Sequence, residues 1–160
     1  SHLNLYRGLR SLTCRCTKDG WTKPVTNQEA LAAAVSGENA AIYAYGVIGA
    51  LLNAGPRRRA LEALRAHQSW RERIAQLMPG DTAPTPGIAY DFPMQVLDAG
   101  AAIALAQLVE NRLVVVYADL AATCEGERRA DAVLAASECA TRAVIWGAPS
   151  QAFPHDASSN

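Results

Sequence analysis

Only 6% of the 160 residues are aromatic, and neither sign of charge is in excess, with Lys plus Arg and Asp plus Glu both at 15. The first scarcity argues against an all-β chain, whose half-buried strands draw on aromatic and β-branched side chains. The second removes the basic footprint that a nucleic-acid surface needs. Four cysteines (Cys14, Cys16, Cys124 and Cys139) form no C-x-x-C pair and have no histidine cluster beside them. Nothing therefore supports a zinc site, and free thiols in a reducing compartment are expected. No signal peptide or lipidation motif is visible, so the expected location is cytoplasmic.

What remains is aliphatic. Half of the residues are hydrophobic, dominated by Ala, Leu and Val, which is a helical composition on a chain the size of one domain. Charge is unevenly placed: residues 1–25 hold Arg7, Arg10, Arg15, Lys18 and Lys23 against Asp19 alone. With no sustained hydrophobic period, this stretch reads as a basic arm in which Trp21 is the one candidate anchor. Residues 150–160 read as a C-terminal tail, leaving 26–149 as the ordered domain.

Four helices are expected within that domain. Thr26 and Glu29 fit a capping box, in which the Thr oxygen accepts a first-turn N–H while the Glu reaches back, so the first helix starts there and runs to about Asn53. Gly55 suits a left-handed C-terminal residue and Pro56 the first turn of a second helix, which extends to about residue 78 with Leu61, Leu64, Ile74 and Leu77 as its apolar face. A proline-rich connection follows. Asp98 is the expected N-cap of a third helix ending near Thr123, and a fourth covers about 127–146 before Gly147-Ala148-Pro149.

The links carry the topology. Two of them are so short that they force antiparallel hairpins, while the middle one is about 18 residues long. A helix of about 25 residues measures about 37 Å, and about 18 extended residues reach about 60 Å. The middle link can therefore run the length of the bundle. The expected fold is all-α: a four-helix bundle of two antiparallel hairpins joined by a long crossover between the second and third helices, the ferritin-like arrangement. Long apolar stretches in the first and third helices approach a membrane span in length, but each carries a mid-span charge, and no membrane insertion is expected.

Polar residues inside such helices need partners. Projecting the hairpins places Glu38 level with about residue 72, near His67 and Arg71, and Glu110 level with about residue 141, near Glu138. Two readings follow. In one, Arg71 and Arg142 pair with Glu38 and Glu110 in bidentate fashion, so that Glu38, His67, Arg71, Glu110, Glu138 and Arg142 form a buried polar cluster without catalytic residues or cofactor. In the other, Glu38, His67, Glu110 and Glu138 hold iron or manganese in a metal-dependent oxidoreductase. A full di-metal set is lacking, since Leu64 stands three before His67 and Thr141 three after Glu138, where Glu-x-x-His motifs would supply ligands. Tyr43, Tyr45 and Tyr117 are placed near the carboxylates; Gly46 and Gly49 are expected to allow a close helix–helix or subunit contact, and a homodimer through an Ala/Gly-rich helix face is expected.

The stretches "SGENAAIYAYGV", "AHQSWRER", "QLVENRLVVVYADL" and "TRAVIWGAPSQAFP" resemble the actinobacterial ferritin-like domains of unassigned function, a group that includes conserved alanine-rich mycobacterial proteins. The resemblance spans about residues 27–153. It implies the ferritin-like fold, no assigned activity, and Glu38, His67, Arg71 and Glu110 as the signature cluster.

Overall fold

The computed structural model describes residues 25–150. Nearly all of the expected basic arm, Trp21 included, and of the expected C-terminal tail lies outside the described residues. Four helices form an all-α bundle: α1 (Asn27–Leu51), α2 (Ala54–Ala75), α3 (Ala99–Ala122) and α4 (Gly126–Ile145).

Local chemistry sets the ends. Thr26 and Glu29 close the capping box, with the Thr26 N–H donating to Glu29 Oε2 at 2.9 Å and Glu29 N–H to Thr26 Oγ1 at 3.2 Å. Asp98 caps α3 by accepting from the Ala101 N–H at 2.8 Å. At the end of α4, Gly147 has φ 95°, and the N–H groups of Gly147 and Ala148 reach back to the carbonyls of Val144 and Ala143, both at 2.9 Å. These two bonds satisfy carbonyls that the helix itself leaves open. The α1–α2 turn departs from expectation, because the positive φ, 48°, falls on Ala54 and not on Gly55. With only Leu52 and Asn53 between the helices, the reversal is completed at the first helical residue.

Packing gives the direction of each helix. Ala30 to Val35 of α1 share a core layer with Trp70 and Ile74 of α2 and with Leu113 to Ala121 of α3, whereas Ala44 to Leu52 share the other layer with Ala60, Ala63, Ala102 and Leu105. Both α2 and α3 therefore run antiparallel to α1. The crossover must carry the chain from one end of the bundle to the other, as its length demands. It passes along α1, where Asn39 Nδ2 donates to the Pro84 carbonyl at 3.1 Å and Tyr43 packs on Tyr90 and Phe92.

Of the expected apolar face of the second helix Ile74 is buried and Leu64 and Leu77 pack at its edge, but the residues at its centre are others. Ala60, Ala63, His67, Trp70 and Ile74 point inward at alternating spacings of three and four, while Leu61 is exposed. Small alanines allow the backbones to approach, and the Leu residues fall to the flank. At Gly37 a Cβ would come within 2.9 Å of Leu113 Cδ2, so glycine lets α1 and α3 close up one residue from Glu38 and three from Glu110. Gly46, by contrast, faces open space and Gly49 has ordinary contact distances, so neither is required by packing within the chain. The third helix is long and apolar enough to cross a membrane by length and composition, yet its Glu110 lies in the bundle core.

Candidate functional site

Glu38, His67 and Glu110 come from α1, α2 and α3, and each is fully buried. His67 stands between the two carboxylates, with Nδ1 at 2.7 Å from Glu38 Oε2 and Nε2 at 3.1 Å from Glu110 Oε1. Burial by itself would lower the His67 pKa, but the hydrogen bonds to Glu110 and Glu38, together with their charges, outweigh it and hold the imidazole at about 9. At neutral pH both ring nitrogens carry protons and donate. The ring is a cation shared by two anions.

Each glutamate also accepts from a tyrosine on the opposite long helix. Tyr117 of α3 donates to Glu38 Oε1, and Tyr45 of α1 donates to Glu110 Oε1 at 2.6 Å. The reason is geometric: both tyrosines lie seven residues, about two turns or 10 Å, beyond the glutamate of their own helix. Because α1 and α3 are antiparallel, that offset carries each phenol to the other helix's carboxylate. Burial, followed by the neighbouring carboxylate, pushes both phenols above their ordinary pKa, so they remain donors. Tyr45 stacks on His67 at 5.2 Å between ring centres and accepts from Trp146 Nε1 at 3.0 Å.

Arg142 supplies the second cation. Its Nε donates to Glu110 Oε1 at 2.9 Å, and its side chain is only 16% exposed. Burial would raise the Glu110 pKa, but His67, then Arg142 and Tyr45, reverse this and hold the carboxyl below its ordinary value. Cys139 lies beside the same carboxylate and accepts from Arg142 at 3.3 Å; burial first, and then the Glu110 charge, push its thiol up. The inner cluster thus has two carboxylates and two cations in balance.

Four expected residues meet here, Glu38, His67, Glu110 and Arg142. Two do not. Arg71 donates to Asn39 Oδ1 at 3.1 Å and not to Glu38, whose two oxygens are taken by His67 and Tyr117. Glu138, 40% exposed at its side chain, sits outside the core, where it accepts from Trp70 Nε1 at 2.7 Å and lies 3.7 Å from Arg142. Nor is the Arg142–Glu110 pairing bidentate: Oε1 takes three donors and Oε2 has none. Tyr43 turns toward the crossover, away from the carboxylates. Asn39, Cys139 and Trp146 were missed; of these Cys139 and Trp146 left a signal, each standing one turn from Arg142.

A metal at this place needs donor atoms aimed at one point. His67 lies between the carboxylates with both ring nitrogens engaged, and Glu138 is taken up by Trp70 and Arg142. Among the described residues no three His, Cys, Asp or Glu side chains converge into a group able to hold an ion. In the arrangement present, these residues do not fit iron or manganese.

Fold and site together define an all-α four-helix bundle with a closed, charge-balanced polar core. The chain belongs to the family described as domain of unknown function (DUF4439), whose pattern matches residues 30–157. Among solved structures it is similar to a conserved hypothetical protein from Mycobacterium tuberculosis, at 32% identity and a TM-score of 0.72 over 75% of this chain and 93% of that one. No curated protein matches it.

Proposed function

We propose that this protein is a ferritin-like bundle of non-catalytic character, with a binding or structural role, in which internal cations take the place of an inorganic ion. The observation that carries the reading is the position of His67, a protonated imidazole donating to Glu38 and Glu110 at once. Such a cluster specifies helix register, because any slip would leave a buried carboxylate uncompensated. The reading also includes a homodimer in the cytoplasm, bound neither to membrane nor to nucleic acid. The free thiols of Cys124 and Cys139 favour a reducing compartment.

A second reading is a metal-binding, oxidoreductase-like protein using iron or manganese. One observation favours it: Glu110 Oε2 is buried without a hydrogen-bond partner. Elemental analysis of protein produced in iron- or manganese-rich medium decides between the two. The first reading expects metal far below one ion per chain, unchanged in Glu38→Ala. Near-stoichiometric metal that is lost in that variant would overturn it.

A further inference from the structure

An apolar stretch of 18 residues in α3 is only 33% buried within the chain. Ala106, Glu110, Leu113 and Tyr117 point into the bundle, where α3 packs on α1 and α4. On the opposite side Ala104, Leu108, Asn111, Val115, Ala118 and Ala122 follow at alternating spacings of four and three, a seam about 27 Å long. Ala122 is exposed and the other five are half-buried. We propose that this seam is closed by the same seam of a second copy of the chain, running antiparallel, with each Arg112 donating to the partner's Asp119. The inference deepens the homodimer reading, on which it rests, by giving that dimer its surface.

Charge identifies the occupant. Arg112 follows Asn111 by one position and Asp119 follows Ala118, so both flank the seam on the same side, and both are half-buried. Neither has a hydrogen-bond or ion-pair partner among the described residues, and no charged residue stands three or four positions from either along α3. For Asp119 the cost is visible: burial raises its carboxyl above the ordinary value, with no cation to offset it. Seven residues, about 10 Å, separate the two charges on one helix. Within a copy they do not meet. Arg112 lies three residues before Val115 and Asp119 four after it, so an antiparallel copy centred on Val115 brings each Arg112 to within about 1.5 Å of the level of the partner's Asp119. The twofold axis makes that contact twice, as a self-complementary interface requires. A guanidinium and a carboxylate that are already half out of water attract more strongly than the same pair in open solvent. A lipid surface would take the apolar seam but leave both charges without a partner.

The test is sedimentation equilibrium of the whole chain over a range of concentrations, with circular dichroism to verify that each variant keeps its helices. A dimer is expected. Arg112→Asp sets two carboxylates together at both contacts, and Asp119→Arg two guanidinium groups, so each reversal should weaken the dimer by at least about tenfold. The double variant restores opposite charges and should recover most of the lost affinity. Val115→Lys, which brings two ammonium groups to the twofold axis, should dissociate the dimer, and it serves by itself if a reversal does not fold. A dimer insensitive to Val115→Lys and to both reversals would overturn the inference and leave the homodimer reading standing on another face. Loss of the dimer in both reversals without recovery in the double variant would overturn the Arg112–Asp119 pairing. A chain that is monomeric at every concentration, whether or not it sediments with phosphatidylcholine vesicles, would overturn the inference and the homodimer reading together.

Discussion

Replacing His67 with Gln should destabilise the bundle at neutral pH and remove most of the decline in stability between about pH 6.5 and about pH 8.5. In the folded protein the His67 pKa is about 9, against an ordinary 6.5. A pKa raised by folding contributes stability that is complete below about pH 6.5 and disappears as pH rises through 9. A difference of that size corresponds to about 3 kcal/mol, since each unit is worth about 1.4 kcal/mol. For a chain of this length it amounts to about 6–12 °C in Tm. Urea unfolding followed by circular dichroism at intervals from pH 6 to about pH 8.5 measures the profile directly. Above that range the thiol of Cys139 and the phenols of Tyr45 and Tyr117, all pushed upward in the fold, ionise more readily in the unfolded chain and add an alkaline decline of their own. Within it the Gln variant isolates the imidazole: its stability should start lower and stay nearly flat. A decline within that range equal to that of the wild type would refute the assignment of His67 as the bridging cation.

Arg142→Met should weaken the protein most above about pH 4.5, where Glu110 is ionised, and least in acid. The Glu110 carboxyl is held below its ordinary value, so its contribution is present above about 4.5 and is lost as pH falls through the folded value; without the guanidinium that loss should begin at higher pH, visible as a raised acid midpoint. Two glycine substitutions should have opposite signs. Gly37→Leu meets Leu113 and should cost about 1–3 kcal/mol, whereas Gly46→Ala, in open space within a helix, should gain about 0.5–1 kcal/mol. Denaturant midpoints that move the same way would contradict the close approach of α1 and α3.

Much of the fold is legible in the residues because its determinants are local. The Thr26–Glu29 box, the Asp98 cap and the Gly147 turn each act within one helical turn, and backbone groups there are satisfied by near neighbours whatever the rest of the chain does. The crossover follows from arithmetic on link length. The inward face of α2 was less legible, since Leu61 and Leu64 are better hydrophobes than Ala60 and Ala63, and only the space between packed helices favours the smaller side chains.

For the cluster, spacing along each helix selects Glu38, His67, Arg71, Glu110, Glu138 and Arg142 as candidates for one polar cluster. Spacing could not tell which cation meets which carboxylate. His67 and Arg71 lie one turn apart on the same helix, and in the packed bundle the imidazole meets Glu38 while the guanidinium meets the adjacent Asn39. Glu138 and Glu110 are separated by the packing too, one at the partly exposed rim accepting from the buried Trp70 and the other enclosed. Helical periodicity is a property of the chain alone, and so are caps and link lengths. Which buried charges neutralise one another depends on distances of a few ångströms between helices, and only the packed bundle sets those.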